Sequence, residues 1–357
     1  MANRELAEII DLWGIEADSC RIKPFGTGLI NHTWLVAAGE NDYILQRINT
    51  DVFKHPEDIS HNIDVINSHL EKHHPEYLFV NYVSTTDGRR AVEVDGEWFR
   101  LMPFVKNSHT LNIVPSADEA YEAAAQFGLF TSNLSNFDLS QLRYTLPGFH
   151  DLNLRYRQFE EALASGNRER ITSQEDTIKR LKAYRFIAEK ASEISKGKDS
   201  GFMQRVMHHD TKISNVLFNK DNQGLCVIDL DTVMPGYFMS DVGDMLRTYL
   251  CPVSEEESDL SLIEIRLDYF EAIADGYLKH MGDKLTAVEL DSFAFAGAFM
   301  IYMQALRFFT DYIQDDVYYG AKYETHNLVR ALNQLRLLDR LYERRLELRE
   351  LVAKIKA

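Results

Sequence analysis

The chain changes character at one point, and that change limits the folds open to it. Up to Pro103 it reads as short strands, and beyond Pro103 almost entirely as helix. Residues 21–25, 33–37 and 43–48 are apolar-rich runs divided by a glycine-containing turn and by Asn41-Asp42. A polar-faced helical stretch follows over 56–72. The runs 90–94 and 98–102 flank Asp95-Gly96, the strongest short hairpin signal a sequence offers. Three strands, one helix and two strands predict a small antiparallel sheet with a single helix on it. Helical spacing then covers 116–135, 151–165, 172–195, 241–250, 257–281, 286–313 and 323–354. Among these lies an island of short strands, 215–219 and 225–231, joined by the polar turn 220–224. The expected class is α+β, with a β-rich lobe over 1–103 and a larger, mainly helical lobe over 104–357. The two meet at a crossover near Met102–Val105.

Composition narrows the function classes. At roughly 150 residues per domain, 357 residues fit two domains or one domain with two lobes. The 45% apolar and 26% charged fractions suit a chain that buries a real core, and argue against disordered or collagen-like classes. A net charge of −16 counts against nucleic acid as a partner, because phosphates demand a positive surface. The three cysteines, Cys20, Cys226 and Cys251, lack metal-ligand spacing and are odd in number. A reducing cytoplasm is the expected location. The first ten residues mix Arg4, Glu5 and Glu8 with apolar residues and do not resemble a signal peptide. The longest apolar run, 293–303, is short of the ~18 residues a spanning helix needs and reads as a buried core helix. No membrane and no protein partner are predicted.

The most informative segment is His208-His209-Asp210-Thr211-Lys212-Ile213-Ser214-Asn215. It fits the H-x-D-x-x-x-x-N catalytic loop of kinases, with His209 where protein kinases have Arg. The spacing has a chemical reason. Phosphoryl transfer has a loose transition state, so the enzyme positions groups and neutralises charge. An Asp meets the acceptor hydroxyl as base, and five residues on an amide oxygen can hold magnesium. Two blander readings compete: His208 and Asp210 as part of a transition-metal site, or Asp210 as a turn residue accepting backbone N–H groups.

Fourteen residues after Asn215 stands Val227-Ile228-Asp229-Leu230-Asp231, an apolar strand ending in carboxylates. Asp229 occupies the place of the metal-binding Asp of the kinase D-F-G motif, although Phe-Gly is absent. Magnesium suits Asn215 and Asp229, since it takes few protein ligands and keeps water and phosphate for the rest. Asp231 reads as either a third ligand or a turn residue, with an indirect role favoured. Upstream, Phe25-Gly26-Thr27-Gly28-Leu29-Ile30-Asn31 lies between two strands, the position of a phosphate-covering loop. Asn31 stands where a third glycine is usual, and Asn tolerates positive φ. Gly26, Thr27, Gly28 and Asn31 are therefore candidate nucleotide contacts.

The order of these signatures, with Asp241-Val242-Gly243-Asp244 downstream, resembles the aminoglycoside phosphotransferase and choline kinase superfamily. Over 22–340 the chain is most similar to the N-acetylhexosamine 1-kinases and their bacterial relatives. The supporting stretches are Tyr43-Ile44-Leu45-Gln46-Arg47-Ile48-Asn49, Pro147-Gly148-Phe149-His150-Asp151, the run from Ile228 through Asp231 to Gly236, and Arg307-Phe308-Phe309-Thr310-Asp311-Tyr312. The resemblance implies a two-lobed, protein-kinase-like fold that uses ATP and Mg2+. Adenine would be hydrogen-bonded by the crossover backbone near Met102 and Phe104, with Asp210 as base and Asn215 and Asp229 as metal ligands. Kinases hold the phosphates with a third-strand Lys, and here that strand reads Gln46-Arg47. Only one of the two can face the nucleotide. Arg47 keeps the charge and is the residue assigned, with the register open and the helical glutamate partner unidentified.

The acceptor is expected to be a small molecule, an amino sugar phosphorylated on its anomeric hydroxyl. By resemblance, Arg307 and Tyr318 contact the sugar; from spacing alone, Arg307 and Asp311 read as a surface ion pair beside packing tyrosines. His32 is a further candidate, equally readable as an outward strand residue, and Asp151 another. The competing functions are a kinase for a different small alcohol, such as choline, ethanolamine, homoserine or an aminoglycoside, and a non-catalytic binding protein of kinase-like fold.

Overall fold

The computed structural model describes residues 3–16, 20–26, 30–39, 41–196 and 200–356. The chain gathers into two compact units that interleave along the sequence. The first comprises Met1–Thr110, Asn133–Pro147 and Leu217–Pro235, and the second Leu111–Ser132, Gly148–Val216 and Gly236–Ala357.

In the first unit the strands are β1 (Cys20–Pro24), β2 (His32–Ala38), β3 (Asn41–Ile48), β4 (Ala91–Val94) and β5 (Glu97–Pro103), and all the pairings are antiparallel. Their spatial order is β1-β2-β3-β5-β4. Asp95 and Gly96 both take positive φ, 51° and 81°, as a tight two-residue hairpin requires. Alternation along the strands separates two faces. On one, Val36, Leu45, Phe99 and Leu101 are buried against Leu6, Ile9, Ile10 and Trp13. The first three of that second group come from α1 (Asn3–Ile10) or its end, a helix absent from the sequence expectation. The opposite face presents Ile44, Gln46, Arg100 and Met102. The predicted helix appears as α2 (Pro56–His73), with proline in its first turn.

The second unit is helical: α3 (Ala117–Asn133), α4 (Leu152–Ser165), α5 (Arg168–Ser173), α6 (Glu175–Ala183), α7 (Arg185–Lys196), α8 (Met239–Tyr249), α9 (Leu267–Met281), α10 (Ala287–Asp291), α11 (Phe293–Ile313), α12 (His326–Glu343) and α13 (Arg345–Lys356). The axis of this unit is α11, against which α4, α7, α8 and α12 pack. By length and composition α11 could cross a membrane, but 83% of its most apolar window is buried inside the fold. It is a core helix.

Several predicted helices are divided. The stretch 172–195 spans parts of three helices, 286–313 divides at Ser292, and 323–354 at Arg344. Ser292 and Arg344 have ψ of 8° and 5°, and neither Gly nor Pro marks either break. The helix expected from 257 begins only at Leu267, because the Asp259 side chain accepts the Ser261 N–H and forms a separate turn.

An ion pair fixes α10 to the start of β6 (Gln204–Met207). Glu289, fully buried, accepts two hydrogen bonds from Arg205 at 2.7 and 2.9 Å. It also closes a capping box with Thr286. Glu289→Gln would leave the buried Arg205 without its counter-charge. A loss of about 3–5 kcal/mol in unfolding free energy is expected by urea denaturation.

Candidate active site

The catalytic loop follows β6 and is held from below by α8. The Asp241 carboxylate accepts the backbone N–H groups of His208 and His209, at 3.0 and 2.7 Å. Asp244, three residues along the same helix face, accepts the Thr211 N–H at 2.9 Å. Thr211 returns its hydroxyl to the Asp241 carbonyl, and the Tyr249 hydroxyl donates to the Thr211 carbonyl. These bonds support His209 at φ 66°, a conformation uncommon for a non-glycine residue. Burial pushes the Asp241 carboxyl up to about 7 against the pull of its two N–H donors. Arg247 lies 3.0 Å from Asp244 and bridges to Glu255, which also takes Arg330.

Within that frame Asp210 and Asn215 meet. The Asn215 amide nitrogen donates to the Asp210 carbonyl at 2.9 Å and to its carboxylate at 3.0 Å. With that nitrogen engaged, the amide oxygen of Asn215 is the atom left to ligate a cation. Lys212 Nζ lies 3.0 Å from the other Asp210 oxygen. Burial acts to raise the Asp210 pKa, but Lys212, His208 and Asn215 together outweigh it, and the carboxyl falls below its ordinary value. Asp210 is therefore ionised at neutral pH, as a base must be. Lys212 was missed by sequence reasoning, although its place two residues after Asp210 was a usable signal.

Asp229 belongs to the other unit. The strands β7 (Val216–Phe218) and β8 (Gly224–Val227) form a hairpin ladder, and Asp229 follows β8 at φ 59°, ψ 60°, opening a short 3-10 turn over Leu230–Thr232. Asp231 in that turn is buried and paired with Arg100, which also reaches the Tyr82 hydroxyl. Opposite Arg100 in the ladder stands Gln46, whose amide oxygen takes the Arg100 Nε and Nη2 at 3.0 and 2.7 Å. The register is thus decided: Gln46 faces Arg100. Arg47 lies on the α1 side of the sheet, paired with Glu97, and its assignment as a phosphate contact is corrected. Like its sheet face, its charge is already satisfied locally.

Gly26 takes φ 75°, while Thr27 and Gly28 lie outside the described residues. Asn31 is not among the described residues with positive φ, so the backbone rationale for it fails. Its side chain acts instead: Nδ2 donates to Asp231 at 2.8 Å, and Oδ1 accepts the Asn49 N–H at 3.0 Å. At the crossover, Met102 pairs with Ile44, and the Phe104 N–H is engaged by the Asp42 carbonyl at 2.9 Å. That N–H is therefore already committed, which removes it as an adenine donor. The Phe104 ring meets Phe25, at the head of the glycine loop, edge-on with centroids 5.8 Å apart.

On the acceptor side, all within the second unit, the His209 and His150 Nδ1 atoms lie 3.3 Å apart, and His150 stacks on Phe149. The Arg307 guanidinium sits 5.4–5.8 Å from the rings of Phe149, Tyr318 and Tyr319, and 3.4 Å from the Tyr318 hydroxyl. Tyr318 is 72% exposed. The expected Arg307–Asp311 pair does not form. Asp311 instead accepts the N–H groups of Tyr318 and Tyr319 at 2.7 and 2.9 Å, fixing the loop that carries them. Asp151 caps α4 by accepting the Leu154 N–H. His32, exposed, opens β2 beside Trp34 on the same sheet face as Arg47, away from Gln46 and Arg100. It joins neither cluster.

An ionised Asp held on a helix-braced loop, an amide oxygen five residues on and a carboxylate at the end of the following hairpin match in kind and chain order the groups that phosphoryl transfer to a hydroxyl requires. The chain belongs to the phosphotransferase enzyme family, whose model matches residues 21–277. The structure of a microcompartment-associated aminopropanol kinase is similar, with TM-score 0.68 at 16% identity, covering 96% of this chain and 98% of that one. A spectinomycin phosphotransferase in complex with ADP and spectinomycin gives 0.60 at 11% identity over 95% and 97%. Choline kinase from Cryptosporidium parvum gives 0.59 at 13% identity over 96% and 97%. At these identities the likeness is one of fold.

Two measurements test this framework. Gly243 in α8 faces the Ala296 carbonyl of α11 so closely that a Cβ there would overlap it. Gly243→Ala is expected to cost about 1–3 kcal/mol by thermal or urea unfolding, and to lower turnover by displacing Asp241 and Asp244. Burial first, then His209 and Arg307, hold the His150 pKa well below 6.5. The unfolded chain therefore binds this proton more tightly, so stability falls as pH drops below about 6.5. Melting temperatures of the native protein from pH 7.5 to 5.5 should fall more steeply than those of His150→Gln.

Proposed function

We propose that the protein is an ATP- and magnesium-dependent kinase that phosphorylates the anomeric hydroxyl of an N-acetylhexosamine to give the sugar 1-phosphate. The observation that carries the chemistry is the ionised Asp210 carboxylate between Asn215 and Lys212. Asp210 orients the acceptor hydroxyl and takes its proton. Lys212 keeps that carboxylate ionised and supplies positive charge where negative charge develops. Gly26, Thr27, Gly28 and Asn31 cover the nucleotide phosphates from the β-rich lobe, 1–103, and the helical lobe, 104–357, carries the acceptor.

The donors fit magnesium. One carboxylate, Asp229, and one amide oxygen, Asn215, are hard ligands of the number magnesium takes from protein. Among the described residues no group of three or more His, Cys, Asp or Glu is placed to cage a softer metal. When bound there, magnesium would neutralise phosphate oxygens and fix their orientation.

The acceptor reading rests on charge. Asp151, Asp244, Glu255 and Asp311 are each engaged by backbone N–H groups or by Arg247 and Arg330. Arg307 and Arg155 both act on His150 as cations. Such a surface disfavours the ammonium groups of choline, aminopropanol or an aminoglycoside. A neutral, hydroxyl-rich ring suits Arg307, the Tyr318 hydroxyl and the Phe149 face, and agrees with the resemblance to N-acetylhexosamine 1-kinases. No disulfide joins the cysteines, which supports placing the protein in the cytoplasm.

The test is a panel of acceptors with ATP and magnesium, read as ADP release and by phosphorus NMR of the product. N-acetylglucosamine or N-acetylgalactosamine should give the highest kcat/KM and an anomeric phosphate. Choline or aminopropanol outperforming every sugar would overturn the acceptor assignment alone. Asp210→Asn should lower kcat about 10²–10⁴-fold, and parental turnover by that variant would remove the base.

A further inference from the structure

The third strand holds no lysine, and Arg47, the cation it does hold, lies on the α1 face paired with Glu97. Among the described residues of the first unit, a buried cation nevertheless pairs with Asp231, two residues along the chain from the proposed metal ligand. Arg100, only 1% exposed, stands on β5 directly opposite Gln46. Its guanidinium binds the Gln46 amide oxygen through Nε and Nη2, and the Asp231 carboxylate and Tyr82 hydroxyl through Nη1. Asp231 offers its second oxygen to Asn31 at 2.8 Å, and Asn31 is tied to the Asn49 backbone. One hydrogen-bonded chain therefore runs Gln46–Arg100–Asp231–Asn31. It joins the third strand, the fifth strand, the turn that begins with Asp229, and the end of the glycine-rich loop.

We infer that the Arg100–Asp231 pair replaces the strand lysine and its helical glutamate as the device that positions the nucleotide-binding elements. The inference rests on the nucleotide reading above and concerns Gln46, Arg100 and Asp231, which that reading left without a role. Arg100 is a positioning residue: it is sealed from solvent, so it acts through what it holds. The first thing it holds is the turn. Asp229 sits in a left-handed conformation that a non-glycine residue adopts at a cost, and Asp231, two residues on, anchors that turn to the sheet. The second is the start of β2 after the glycine-rich stretch, because Asn31 is held on the same carboxylate. Asp231 has both oxygens engaged by Arg100 and Asn31, which argues against its serving as a metal ligand. A lysine at 100 could not reproduce the arrangement, since a point charge lacks the fork that grips Gln46 and Asp231 together.

The experiment uses the full chain and measures binding of Mg·ADP and of a non-hydrolysable Mg·ATP analogue by calorimetry without acceptor, beside thermal melts. Arg100→Met and Asp231→Asn should each weaken nucleotide binding at least tenfold and raise the magnesium concentration needed for it. The KM for the sugar should stay within twofold. Gln46→Lys placed on Arg100→Met returns a cation to the facing strand position, and should recover at least a third of the lost affinity. A folded Arg100→Met or Asp231→Asn with native nucleotide affinity overturns the inference, as does a folded double variant with no recovery. If these buried-charge variants fail to fold, Asn31→Ala cuts the chain at its outer end without stranding a charge. It should weaken binding at least threefold, and unchanged affinity there overturns the inference. Failure of the native protein to bind any magnesium nucleotide would instead remove the nucleotide reading itself, and this inference with it.

Discussion

Asp241 is the constraint on which the catalytic geometry rests. Its carboxylate collects two consecutive backbone N–H groups, and so fixes the peptide planes on either side of His208 before any substrate arrives. The positive φ of His209 turns the chain so that Asp210 leaves the loop on the side where Asn215 returns. Such a turn is unfavourable in isolation. It persists because α8 supplies acceptors at 241 and 244, and because Gly243 lets α8 lie directly on α11. The core helix thus supports the helix that shapes the loop that presents the base. Packing and chemistry are linked through very few atoms.

Charge is handled differently in the two units. In the second, acidic groups on α8 and beyond are balanced by Arg247 and Arg330, and Asp210 is paired with Lys212. In the first, a single guanidinium serves a carboxylate, a phenol and an amide. A net charge of −16 over the chain does not carry into these sites. Locally each is close to neutral, as buried charge requires.

The parts legible in the sequence were those encoded by local spacing. Asp210 and Asn215 are five positions apart in one loop, and Asp229 follows one hairpin later, so a linear pattern exposes them. The five strands and the antiparallel hairpin of the last two followed from local patterning and the Asp95-Gly96 turn. What stayed hidden depends on contacts between distant positions. Gln46 and Arg100 are 54 residues apart and Arg100 and Asp231 are 131 apart, so nothing local marks Arg100 as more than a strand residue. The Gln46–Arg47 ambiguity was of the same kind, because two adjacent polar residues give no sign of which face is packed. Asn31 was read for its backbone and acts through its side chain. The breaks at Ser292 and Arg344 carry no glycine or proline, and α1 is only eight residues long, so Leu6, Ile9 and Ile10 give little more than two turns of periodic signal.

The placement of Gln46 across from Arg100 also guards the strand alignment. Sliding the third strand by one residue would bring Arg47 opposite Arg100 and set two guanidinium groups face to face. The same slip would turn Leu45 out of the apolar layer. Misalignment is therefore penalised twice, by repulsion on one side of the sheet and by lost burial on the other. Gln46, next to Arg47 along the strand and across from Arg100 in the ladder, makes the correct pairing distinguishable from its nearest error while the chain is still folding.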